Sequence, residues 1–169
     1  MKSFLEKDIG DVYQEAFEII QNQLRKLLPP NRSGFDFQYE DGDNFARISF
    51  PELKYGQYEI QYVKSSKTHQ EYFKVLPFVL FAFYYKGKEC SPEKRSEWLA
   101  SMKLAKVEIS TEIGSNIVLD DWNEHWVFLG VEADRGGVFE TNPLILAEKL
   151  AKFISITYPY LVVANNEVN

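Results

Sequence analysis

Residues 75–98 read VLPFVLFAFYYKGKECSPEKRSEW. From Val75 to Tyr85 the chain is almost wholly apolar, rich in Phe and Tyr, and interrupted once by Pro77. A membrane-spanning helix needs about 20 apolar residues. This run is too short and too aromatic for that, and predicts a central strand covered on both faces. Gly87 closes it. Ser91-Pro92-Glu93 then has the order of a helix start: an N-cap, a proline at the first helical position and an acid in the first turn. Beyond it Trp98, Met102, Ala105, Ile109 and Ile113 recur every three or four residues, an apolar stripe that Gly114 terminates.

Working outward from this strand and helix, the N-terminal side predicts one helix and then strands. Val12, Ala16, Ile19, Ile20, Leu24 and Leu27 make a helical stripe that Pro29-Pro30 ends. Phe35, Phe37 and Tyr39 alternate with polar residues up to the turn Asp41-Gly42-Asp43, and Phe45 to Phe50 is the return strand of a hairpin. Tyr58, Ile60 and Tyr62 alternate with Glu59 and Gln61, a half-buried strand. On the C-terminal side, Ile117 to Leu119 and Trp126 to Val131 are two further strands. Thr141-Asn142-Pro143 opens a last helix with Leu144, Ala147, Leu150, Ala151 and Ile154 inward, and Pro159 is expected to stop it. Strands come in runs separated by helices. The expected fold is therefore α+β, a mainly antiparallel sheet of five to six strands with three helices. Their order is helix, three to four strands, helix, two strands, helix. Residues 1–161 form one domain and 162–169 a tail.

The chemistry-bearing residues are few. The chain of 169 residues has two histidines, His69 and His125, one cysteine, Cys90, and no glycine-rich phosphate loop, against 13 Phe, 10 Tyr and 3 Trp. Aromatic bulk builds cores and binding faces, whereas catalysis needs particular polar groups at particular spacings. The net charge of −6 disfavours binding a nucleic-acid backbone, which calls for a basic footprint. One cysteine forms no internal disulfide and fits a reducing, cytoplasmic setting. Met1 to Phe17 has acids at Glu6, Asp8 and Asp11 and no apolar core of a secretory signal. No membrane association and no cofactor are expected.

Four places are weighed as sites. Asp120-Asp121-Trp122-Asn123-Glu124-His125 puts two carboxylates and an imidazole close together, with the ligand chemistry of a divalent cation or of an oriented base. It lacks the ligand number and glycine of a calcium loop, and reads better as a hairpin turn. Asp43, Glu52 and Lys54 have the order of an acid followed by Glu-x-Lys, as in metal-dependent nucleases, where acids hold the metal and the lysine positions water. That makes a nuclease-like enzyme the alternative reading. Cys90 stands just before a helix start, which favours a thiolate, but no base lies near it in sequence. Tyr58, Tyr62, Trp122 and Trp126 are expected to contribute to a partner surface or to self-association, since binding faces favour Tyr and Trp. The competing reading places all four rings in the core. No catalytic or metal-binding residue is assigned.

From about Tyr84 onward the sequence holds SEWLASMKLAKVEISTEIG, then IVLDDW, the tryptophan-containing HWVFLGVE and a closing helix near TYPYL. This resembles an uncharacterised prokaryotic α+β domain found alone or attached to restriction-type and other DNA-associated proteins. The resemblance implies an accessory role in phage defence, counter-defence or mobile-element biology, and implies no catalytic residues. Size, acidity and element order are also those of small acidic dimeric secretion chaperones, a likeness of topology alone. The reading is a single-domain protein that works by binding a protein partner or a second copy of itself.

Overall fold

The computed structural model describes residues 9–32, 34–40, 44–53, 56–63, 78–86, 92–114, 117–123, 126–135 and 142–166. Three long helices, α1 (Ile9–Leu27), α2 (Pro92–Glu112) and α3 (Pro143–Asn166), accompany six strands. The strands are β1 (Asp36–Gln38), β2 (Phe45–Ser49), β3 (Gly56–Val63), β4 (Phe78–Lys86), β5 (Ile117–Asn123) and β6 (Trp126–Arg135). The element order is that expected of α+β. All neighbouring strands pair antiparallel in one sheet ordered β1-β2-β3-β4-β6-β5. β4 is thus interior, as its apolar run requires.

The registers sort the strands into two faces. Ile48 pairs with Tyr58, Tyr58 with Phe83 and Phe83 with Leu129, so these side chains share one face. All three helices pack on that face. Tyr13 and Phe17 of α1 stack on Tyr62, with ring centroids 4.9 and 5.7 Å apart. Phe153 of α3 meets Tyr58 and Phe81, and Trp98 of α2 lies against Phe83. α3 touches both other helices and so occupies the middle of the helical layer. One continuous apolar core runs from Tyr13 to Leu161.

Local chemistry explains the ends of these elements. The Leu144 amide donates to Oδ1 of Asn142 at 3.0 Å, so Asn142 is the N-cap of α3 with Pro143 behind it. The Gly114 amide reaches back to the Ile109 carbonyl at 3.3 Å and closes α2. After α1, Pro30–Arg32 forms a single 3-10 turn.

Three details differ from the sequence reading. The buried side of α1 carries Tyr13, Ala16, Phe17, Ile20 and Leu24, whereas Ile19 and Leu27 are exposed. Tyr13 and Phe17 lie against the Tyr62 ring, so the helix side that carries these rings is the one that faces the sheet. Pro159 does not end α3, which continues to Asn166. Proline removes one amide donor, but Thr157, Tyr158 and Leu161 are buried on both sides of it, and packing keeps the helix going. Residues 162–166 are therefore helical rather than tail. Leu144 is exposed, and Leu146 and Phe153 take the inward positions instead.

Candidate functional site

The sheet face opposite the helices carries Arg47 on β2, Gln57, Glu59 and Gln61 on β3, and Ala82 on β4. Cross-strand pairing aligns Arg47, Glu59, Ala82, Gly130 and Val118 in a row across five strands. A strand alternating polar with apolar residues ordinarily sends its polar half to water. Here Glu59 is only 6% exposed, and Gln61 and Ala82 are buried too, although no helix among the described residues covers them.

A buried carboxylate must be satisfied by donors. Oε1 of Glu59 accepts from Nε of Arg47 at 3.3 Å and from Nε2 of Gln57 at 3.1 Å. Its Oε2 accepts from Nε2 of Gln61 at 2.7 Å. Burial raises the Glu59 pKa above the ordinary carboxylate value, while the bonds from Gln61, Arg47 and Gln57 and the charge of Arg47 hold it down in part. The group can therefore protonate more readily than a solvated glutamate.

Arg47 is the outward part of this cluster. Its side chain is half exposed. Its guanidinium carbon lies 5.3 Å from the centroid of the Phe45 ring, a cation–π contact. Nε is occupied by Glu59, and among the described residues no bond is made by the two terminal nitrogens. Arg47 lines a hollow of about 360 Å³ together with Gln38, Tyr39, Glu40 and Phe45. Tyr39 ties the hollow to the core, its ring 5.4 Å from Phe17 and 5.9 Å from Phe37. The result is a guanidinium held by Glu59 and Phe45 with its terminal donors unbonded among the described residues. Such a fork recognises carbonyl or carboxylate acceptors. It supplies no nucleophile.

The structure separates the residues singled out by sequence. Tyr58 and Tyr62 are buried beneath the helices and present no ring at the surface, which removes them from any partner surface. The Tyr58 hydroxyl bonds Thr157 Oγ1 at 2.7 Å, and burial drives its pKa far above the ordinary phenol value. Aromatic alternation marked the right strand, but it served the core face. Asp120 to Asn123 lie within β5, which extends beyond its expected end at Leu119. Asp120 pairs with Phe128 and Asn123 with Trp126, with an irregular register between them that contains Trp122. The side chains of Trp122 and Trp126, and all of Glu124 and His125, lie outside the described residues, as do His69 and Cys90. Of Asp43, Glu52 and Lys54, only Glu52 is described. It is exposed and accepts a hydrogen bond from the Tyr158 hydroxyl at 3.2 Å. Among the described residues no three His, Cys, Asp or Glu side chains are grouped as a metal site, and no helix is long and apolar enough to cross a membrane.

The Arg47 cluster was not anticipated. Its only sequence signal is that Arg47 and Glu59 have opposite charges on neighbouring alternating strands, and the register that aligns them emerges only on folding. In comparisons with known proteins, no family model, curated protein or solved structure matches this chain.

Proposed function

We propose that this protein is a non-enzymatic binding module that docks a protein partner around Arg47, on the sheet face opposite the described helices. The observation that carries the reading is the arginine held by Glu59 and Phe45 in the lining of the hollow. Arginine is enriched at binding hot spots. One already fixed by a buried carboxylate loses less side-chain entropy when a partner arrives. The resemblance in the second half of the chain adds a setting for such a module, prokaryotic phage defence or counter-defence.

The test compares the wild-type protein with Arg47→Ala as immobilised baits in extract of the source cells, followed by mass spectrometry. Partners retained by the wild type and lost from Arg47→Ala are expected. The purified partner should then bind the variant at least about tenfold more weakly, in line with loss of one hot-spot residue. Equal recovery on both baits, with both proteins folded, would remove this face from the function.

A further inference from the structure

α2 carries a second apolar stripe on the side away from the core. Trp98, Met102, Ala105, Ile109 and Ile113 are buried against the sheet and α3. On the other side, Ala100, Leu104, Val107 and Thr111 are all exposed, with Leu104 and Val107 each at 75%. Their spacing of four, three and four residues is the seam of two helices packed side by side. The Thr111 hydroxyl bonds back to the Val107 carbonyl at 3.1 Å, so it is not left seeking a partner in an apolar contact. Large aliphatic side chains this exposed, aligned on one helix face, mark a contact surface more than scattered surface apolar residues do.

The flanking charges say what fits there. Lys103 and Glu108 are exposed on either side of the seam, and among the described residues neither forms an ion pair. They are five residues apart. In two parallel copies of one helix, a residue on one flank lies opposite the residue five positions later on the other flank of its neighbour. Lys103 of each copy therefore meets Glu108 of the other, twice in a two-fold pair. An antiparallel pair centred between Leu104 and Val107 instead sets Lys103 opposite Ser110 and Glu108 opposite Ser101, with no charge matched. We infer that the outer face of α2 is the interface of a homodimer, in which the two α2 helices pack parallel through Leu104 and Val107 and are registered by reciprocal Lys103–Glu108 pairs.

The seam from Ala100 to Thr111 is about 17 Å long at 1.5 Å per residue. So short a contact makes a weak, concentration-dependent dimer. The inference does not rest on the sheet-face reading, because this surface lies on the opposite side of the molecule from Arg47. In the dimer the two Arg47 hollows face away from each other, and the assembly presents two binding faces at once.

Sedimentation velocity over about 1 to about 300 µM protein tests the pairing, since the populations of a weak dimer follow concentration. The wild type is expected to move from monomer to dimer across that series. Leu104→Glu should weaken association at least about a hundredfold, because a leucine leaves the seam from each copy. Lys103→Glu and Glu108→Lys should each weaken self-association about tenfold by setting like charges opposite one another. Mixed together, these two variants should form heterodimers of wild-type affinity, since both pairs are then matched again. Circular dichroism of the variants verifies that α2 is intact. A wild type that stays monomeric throughout overturns the proposal, as does a dimer indifferent to Leu104→Glu. Failure of the charge-swapped mixture to pair overturns the parallel register. None of these outcomes bears on partner capture by Arg47.

Discussion

Tyr58 and Thr157 form a buried side-chain pair between the sheet and α3, and a double-mutant cycle on them is expected to be strongly non-additive. The phenol oxygen lies 2.7 Å from Thr157 Oγ1. Thr157 also donates to the Phe153 carbonyl at 2.8 Å. A hydroxyl has one proton to give, so Tyr58 is the donor to Thr157. Tyr58→Phe deletes that donor and leaves Thr157 still bonded to Phe153, at a cost of about 1–1.5 kcal/mol, one net hydrogen bond. Thr157→Val keeps the volume but strands the phenol hydroxyl in an apolar site, at about 2–3 kcal/mol. In the double variant both polar groups are gone, and the loss should be only about 1.5 kcal/mol, because replacing both partners removes the unsatisfied group. The coupling is then about 2 kcal/mol, within the range seen for contacting residues. Urea denaturation followed by tryptophan fluorescence, with the slope m unchanged across the four proteins, measures it. Effects that add to within about 0.5 kcal/mol would show that the two hydroxyls do not meet.

Four further outcomes are expected. Trp98→Ala should lose roughly 3–5 kcal/mol in the same assay, as a fully buried ring leaves a cavity against Phe83; a loss of surface-substitution size would mean α2 is rotated. Asn142→Ala removes the cap of α3 and should cost about 1 kcal/mol, seen as a melting point lower by about 2–4 °C. Glu59 has a folded pKa raised by burial, so the folded state holds its proton more tightly than the unfolded chain. Its contribution to stability is fully present below the unfolded value and is lost as pH rises through the folded one. Wild type should accordingly gain on Glu59→Gln as pH falls from 7 towards 4.5, and a gap that stays constant across denaturation at both pH values would refute the shift. Finally, no cleavage of DNA or RNA is expected with magnesium or manganese; metal-dependent cleavage abolished by Glu52→Gln would make the protein a nuclease.

The fold was legible because its signals are local. Period-two alternation at Tyr58, Ile60 and Tyr62, the helix start at Pro92-Glu93 and the Asn-Pro cap each act within a few residues, and the structure contains all of them. Pro159 misled because proline's penalty is local while the burial of Tyr158 and Leu161 that outweighs it is tertiary. The polar cluster was hidden for a related reason. Alternation assigns Glu59 to the face away from the core, but cannot reveal that this face is closed to water there, nor that Arg47 stands opposite. The outer stripe of α2 was present in the sequence as the spacing of Ala100, Leu104, Val107 and Thr111. The stronger stripe led by Trp98 drew the reading, since one apolar face is all that a surface helix needs.

Because α3 lies between α1 and α2 and also covers Tyr58 and Phe81, the helical layer has its keystone in the last element of the described chain. During synthesis the sheet and the first two helices are made before that keystone exists. Until residues 143–161 follow, the core that Tyr58 and Phe81 share with Phe153 lacks its helical side. Apolar surface left uncovered while a chain grows makes it prone to aggregate. A stop codon before Pro143 should accordingly yield insoluble product rather than a smaller working domain, even though every strand of the sheet has been translated.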